Sequence, residues 1–138
     1  MCIRDRPSID LNDELKNGEA IRLLINKNLI QSCHDISSGG LILCLLEMSM
    51  ASQIGFKLNT NKKSLDRIKF LFGEDQSRYI VEVDDQNKNS FEKILADLNI
   101  FFKNIGKTSD KINIDDDLKF NLQELSKLNK EWFYKYNN

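Results

Sequence analysis

The chain lacks most of the residues that usually announce a site. Its 138 residues include one proline, one histidine, one tryptophan and three cysteines. The cysteines (Cys2, Cys33, Cys44) form no CxxC pair and no even set, so neither a zinc ribbon nor a disulfide framework is expected. Cys33 and Cys44 stand in apolar stretches, where a free thiol packs as a small hydrophobe, and a reducing cytoplasm is the expected setting. His34 has no partner at ligand spacing, so no metal site is predicted. Twenty basic residues against twenty-one acidic ones are mixed along the chain, which leaves no basic face for nucleic acid or a membrane surface. No apolar run reaches the roughly eighteen residues of a membrane span, and Glu47 interrupts the longest one. The start lacks the apolar segment of a signal peptide. No internal repeat or low-complexity segment is present.

The length suits one domain, expected over residues 7–138, and a globule of this size buries roughly two-thirds of its unfolded surface. Met1–Arg6 fits poorly with the rest; it is expected to be a non-native remnant of a translated sequencing adapter. Apolar spacing then predicts a helix over Asn12–Lys27, with Gly18 inside it marking either close backbone packing or a break. A strand over Ile30–Asp35 leads to a helix over Gly39–Ser52. Strands are also expected over Ile54–Asn59, Arg78–Val83, Ile100–Gly106 and Lys111–Ile114. A short helix capped by Ser64, another capped by Ser90 and a last one capped by Asn121 complete the set. The order αβαβαβαββα predicts an α+β domain, one mixed sheet in an α/β/α layering.

Two stretches carry candidate chemistry. The first is Cys33-His34-Asp35-Ile36-Ser37-Ser38-Gly39-Gly40-Leu41. A strand, a polar turn and a double glycine opening a helix form the arrangement that presents N–H groups and a helix dipole to an anion. Gly39 and Gly40 equally suit close approach of another backbone, and spacing alone does not separate the two. The helix that follows is apolar on all sides, so it is expected to be a core helix with a gross burial of about 10–20 kcal/mol. His34 and Asp35 are read as hydrogen-bonding the turn or touching a ligand. Neighbouring strand residues face opposite ways, which argues against a Cys33–His34 nucleophilic dyad. The second stretch, Glu74-Asp75-Gln76, offers two carboxylates and an amide at a strand entry. It reads as a cation or ligand contact, or as a solvated loop.

With these residues laid out, the chain resembles the C-terminal segment of the phosphoribosylformylglycinamidine synthases, within the aminoimidazole-ribotide-synthetase-like superfamily. "DLNDELKNGEAIRLLI" is similar to that family's lead-in helix, and "CHDISSGGLILCLLEM" to its His-Asp-x-Ser-Asp-Gly-Gly-Leu segment. "LFGEDQSRYIVEV" resembles its Leu-Phe-x-Glu-x-Gln-x-Arg strand entry, and "NLQELSKLNKEWFYKY" its terminal helix. Ser38 stands where the family usually has an acid, and Asp75 where the serine of a Glu-Ser-Gln loop would stand.

The resemblance implies an ATP-dependent C–N ligase of purine biosynthesis, converting formylglycinamide ribotide, ATP and ammonia to the amidine with magnesium. It implies that the principal catalytic residues lie upstream, so no catalytic residue is assigned here and this chain alone is expected to be inactive. It places a ligand-binding pseudo-site at His34, Asp35, Gly39, Gly40, Glu74 and Gln76. The partners it implies are upstream ATP-binding domains of the same subunit, a glutaminase subunit and a small bridging subunit, or fused equivalents. The alternatives are a stand-alone non-catalytic binding or regulatory domain, and the C-terminal domain of another ATP-dependent enzyme of the superfamily.

Overall fold

The computed structural model describes residues 9–60 and 64–136. The expectation for residues 1–6 and the start of the domain at Pro7 lie outside the described residues, and so does the Ser64 cap, whose side chain is not described. The elements are α1 (Leu11–Asn26), β1 (Ser32–Asp35), α2 (Gly40–Ser52), β2 (Gly55–Leu58), α3 (Ser64–Phe72), β3 (Tyr79–Glu82), α4 (Lys88–Asp97), β4 (Gly106–Ser109), β5 (Ile112–Ile114), β6 (Leu118–Phe120) and α5 (Leu122–Tyr136). This is an α+β chain. Its contacts divide it into two compact units, one holding the residues up to Cys44 with Leu71–Lys103, the other holding Leu45–Phe70 and the residues from Asn104 onward. Among the described residues the strands fall into two sheets where one was expected: β1 pairs with β3, and a mixed four-stranded sheet runs β4-β2-β5-β6.

In the first unit, α1 begins at Asp10, whose side chain accepts from the N–H groups of Asn12 and Asp13. That satisfies donors which a helix start otherwise leaves without partners. Asn28, with φ 53°, turns the chain out of the helix. Ala20 and Leu24 of α1 pack with Phe91 and Leu95 of α4, and Ile30, Val81 and Val83 lie against this cluster. The antiparallel register Ser32↔Glu82 through Asp35↔Tyr79 is extended by Gln31 N–H to the Glu82 carbonyl and Ile36 N–H to the Arg78 carbonyl. Ser90 is not the cap of α4. The helix starts two residues earlier, after Asn87, whose side chain instead donates to the Asn28 carbonyl.

Residues 100–105 are not a strand. Phe102 makes an edge-on contact with Phe91 at 5.8 Å between ring centres, and pairing begins only at Gly106.

In the second unit, β2 pairs antiparallel with β4 and parallel with β5, and β5 pairs antiparallel with β6. Gly106 is required there: a Cβ would stand 2.2 Å from the Lys57 carbonyl oxygen. The strand β6 was not expected from sequence. It returns through Asp115-Asp116-Asp117, where Asp115 (φ 54°) and Asp116 (φ 64°) take the left-handed conformation usually signalled by Asn or Gly.

Arg67 ties this turn down, donating from its two terminal nitrogens to Asp117 at 2.7 Å each, with Nε 3.0 Å from Asp115. Asp115 also accepts from the N–H and the hydroxyl of fully buried Thr60. α5 starts at Asn121, whose side chain accepts from Gln123 and Glu124 N–H. Leu128, Trp132 and Tyr136 of α5 lie exposed.

Two outcomes test these arguments. α1 runs unbroken through Gly18, and a Cβ there would meet only the Tyr79 hydroxyl, at an ordinary 3.8 Å. Gly18→Ala is therefore expected to raise stability by about 1 kcal/mol in chemical denaturation, since neither a break nor a close approach needs the glycine.

The hydrogen bond from Arg67 holds the Asp117 carboxyl below its unfolded value of 3.8, against the opposing effect of desolvation. A carboxyl lowered by folding stabilises above the unfolded value and loses that contribution as pH falls through the folded one. Thermal melts of Arg67→Gln below pH 4 should show a smaller further loss with acid than the parent chain does.

Candidate functional site

The polar end of β1, the turn that follows it and the loop entering β3 enclose a cavity of about 240 Å³ within the first unit. Asp35 and Ile36 reach it because the β1–β3 ladder continues one bond beyond the strand, Ile36 N–H to the Arg78 carbonyl at 2.8 Å. The chain then turns, with Gly40 N–H bonded to the Ser37 carbonyl at 3.0 Å. Gly39 and Gly40 both take positive φ, 81° and 68°. The geometry separates the two readings of the double glycine. A Cβ on Gly40 would lie 2.6 Å from the Phe72 carbonyl carbon and 2.8 Å from the Leu71 carbonyl oxygen, so Gly40 is present for close backbone approach.

Glu74 crosses to the same turn, and its Oε1 accepts the Gly39 N–H at 2.8 Å. The loop carrying it is braced further on. Asn17 of α1 donates to both the carbonyl and the hydroxyl of Ser77, and Arg78 Nη1 donates to the Gly73 carbonyl and to Asp75 at 3.2 Å.

Of the six residues expected at a ligand site, Asp35, Glu74 and Gln76 line the cavity, and Gly39 joins them through its bond to Glu74. Gly40 is buried beneath the turn, and His34 is not among the lining residues: its Nδ1 lies 2.7 Å from the Asp35 carbonyl oxygen.

Sequence reading missed Glu14, Ser77, Arg78 and Tyr79 in the wall. Glu14 belongs to α1, and only its position on the helix face toward β3 could have marked it. Its Oε2 is closed off from solvent without a hydrogen-bond partner.

The electrostatics follow from that wall. Glu14, Asp35 and Glu74 bring three carboxylates, and Arg78 is already bonded to Gly73 and Asp75. The Tyr79 phenol is pushed up by burial first and then by the charges of Glu14, Asp35 and Cys33. The Cys33 thiol is pushed up by burial and by Asp35, which keeps it protonated and unreactive at neutral pH. The cavity thus offers acceptors and hydroxyls to a group that donates hydrogen bonds. Among the described residues, no group of three or more His, Cys, Asp or Glu is placed to hold a metal ion.

Comparison with known proteins gives the following. The family described as "AIR synthase related protein, C-terminal domain" matches residues 4–116. A phosphoribosylformylglycinamidine synthase subunit PurL from Pelagibacter ubique is 37% identical over 131 residues, covering 94% of this chain and 18% of the relative. The chain therefore spans under a fifth of that relative's length. In structure, it is similar to PurLQS from Thermotoga maritima (TM-score 0.75, 16% identity, 88% of this chain and 23% of that one). It is also similar to T. maritima PurL complexed with FGAR (TM-score 0.69, 17% identity, 82% of this chain and 21% of that one). At such identities these structures speak for the fold.

A substitution checks the steric reading of the turn. Gly40→Ala adds a Cβ against fixed backbone at a left-handed φ, and should cost about 2–4 kcal/mol in denaturant titration.

Proposed function

The chain belongs to the AIR synthase related C-terminal domain family, and on that premise we propose that it is the C-terminal part of a phosphoribosylformylglycinamidine synthase. The observation that carries this reading is the 37% identity to the P. ubique subunit across 94% of the chain. The activity proposed for the complete subunit is ATP-dependent formation of the amidine from formylglycinamide ribotide and ammonia in purine biosynthesis, in the cytoplasm. The partners proposed are ATP-binding domains of the same subunit, a glutaminase subunit and a small bridging subunit or fused equivalents; the printed name of the T. maritima assembly PurLQS is in keeping with a multi-subunit complex of that relative. No described helix is long and apolar enough to cross a membrane.

The residues described here do not fit the ATP and magnesium that this activity needs. No cluster of ligands is placed for a metal, and the N–H of Gly39 is already taken by Glu74. ATP and magnesium are accordingly assigned to other parts of the subunit, and no step of the reaction is routed through this chain's side chains. Asp35, Glu74 and Gln76 are retained as a ligand-contacting wall of the pseudo-site. His34, Gly39 and Gly40 act there through the shape of the turn.

Two measurements test the reading. The isolated chain, given formylglycinamide ribotide, ATP, magnesium and ammonia, is expected to form no amidine. A chimaera in which residues 7–138 replace the matching segment of the P. ubique subunit is expected to form it. Turnover by the chain alone, or a folded chimaera without activity, would overturn the proposal.

A further inference from the structure

Among the described residues, nothing requires the glycine at position 18. It sits in the middle of α1, where it weakens the helix, and a Cβ there would stand at an ordinary 3.8 Å from the Tyr79 hydroxyl. Its companions on the helix surface point outward. Leu11, Leu15, Gly18, Arg22 and Ile25 recur at alternate steps of four and three, which lines them up along one side of α1. The side that packs within the first unit carries Ala20 and Leu24 instead. Leu11, Leu15 and Ile25 are 77%, 64% and 51% exposed, so three large aliphatic side chains of one helix face solvent. The stripe runs for about 21 Å, with Gly18 at its midpoint.

A seam of this spacing suits a second helix laid alongside at a crossing angle of about 20°. The glycine removes the side chain where two such helices come nearest, so their backbones can close on one another. Gly18 weakens α1 in this chain, and a partner that uses the close approach offsets that loss.

We propose that this face of α1 is the docking site of an α-helix from the rest of the synthase subunit, one with an apolar stripe of its own and a carboxylate facing Arg22. The chain covers 18% of the P. ubique relative, so most of that subunit lies outside it and is available to cover the stripe. A second copy of this chain is a poorer occupant. Three side chains fall well short of the roughly 800 Å² per partner of a stable two-chain interface. A domain of the same polypeptide is held nearby at high effective concentration and needs no such area. The proposal rests on the synthase reading and names where the rest of the subunit closes on this domain.

The test is maleimide labelling of Leu15→Cys, read on the α1 peptide by mass spectrometry so that Cys33 and Cys44 do not interfere. The variant is made in the isolated chain and in the chimaera that carries residues 7–138 within the P. ubique subunit. The thiol should react freely in the isolated chain and about tenfold more slowly in the chimaera, where reaction waits on opening of the docked face. Adding Gly18→Ala should leave the first rate unchanged and raise the second about tenfold, because the new methyl holds the helices apart. Equal rates in the isolated chain and in a folded, active chimaera overturn the docking face and leave the synthase reading standing. Slow labelling in a folded but inactive chimaera supports the face and counts against the synthase reading alone. A second rate that Gly18→Ala does not change overturns the close approach. Protection of the isolated chain that is lost on dilution assigns the face to a second copy and overturns the proposal. Protection of the chimaera that appears only when a glutaminase subunit is added overturns it too. A chimaera that fails to fold has the same force, since a matching face is what the graft must supply.

Discussion

The constraint on which the first unit depends is the absence of one atom. Gly40 has no Cβ, so the start of α2 approaches the Leu71–Phe72 backbone at a distance no other residue permits. That approach fixes where the β1–α2 turn stands with respect to the residues just after α3. Only with those two places held together does Glu74, two residues beyond Phe72, reach Gly39. The cavity wall follows from the same contact, because Asp35 to Ser38 and Glu74 to Tyr79 are the two sides it brings face to face. Close packing of this kind transmits a misfit over its neighbours and does not absorb it locally. The double glycine is thus a structural condition for the site, ahead of any contact with a ligand.

The second unit is pinned by charge and hydrogen bonds. Asp115 collects the N–H and hydroxyl of Thr60 together with the Arg67 guanidinium, and Asp117 takes the guanidinium's other edge. Asp116, between them, pairs with Lys57 and accepts from Asn113, and those contacts hold its carboxyl below the ordinary value. Three acids in a row would repel one another as a free segment. Here each has a partner: Arg67 of α3 serves Asp115 and Asp117, while Lys57 of β2 and Asn113 of β5 serve Asp116, and together they hold two left-handed residues in place. This is a fork-geometry site, where lysine in place of Arg67 would serve one aspartate and lose the other.

What the sequence made legible, and what it hid, divides along the reach of the physics. Local signals held: Asn121 caps its helix, and the strand expected over Arg78–Val83 is present as β3. The resemblance correctly fixed the family. The β5–β6 hairpin stayed hidden because its turn uses aspartates where glycine would have been the cue, and left-handed aspartates survive only through the partners the fold supplies. Residues 100–105 have a strand-like composition, yet Phe102 spends its ring on Phe91 and the ladder with β2 starts only at the end of the segment, where Asn59 N–H bonds the Ile105 carbonyl. The helices α3 and α5 carry apolar residues at helical spacing. Leu65, Ile68, Leu128 and Trp132 are nonetheless exposed, because a hydrophobic period marks a face that suits burial without naming what buries it. Glu14 was invisible for another reason. A helix surface glutamate is ordinary until a residue some sixty positions away is placed against it.

The charge of the cavity explains why one departure from the family pattern is tolerated. The resemblance places an acid where Ser38 stands, in a turn that reads in isolation as an anion cradle. In the folded chain, Ser38 lines a wall that already holds Asp35, Glu14 and Glu74. Each further carboxylate close to those three adds a repulsion on the order of 1–3 kcal/mol at the dielectric of a protein surface. A hydroxyl at that position adds none and can donate a hydrogen bond. The positive end of α2 needs one compensating carboxylate, and Glu74 provides it by closing across the turn. Once that position is filled, a second acid at the turn is redundant for the dipole and unfavourable for the cavity. Serine at position 38 adds no charge to this wall.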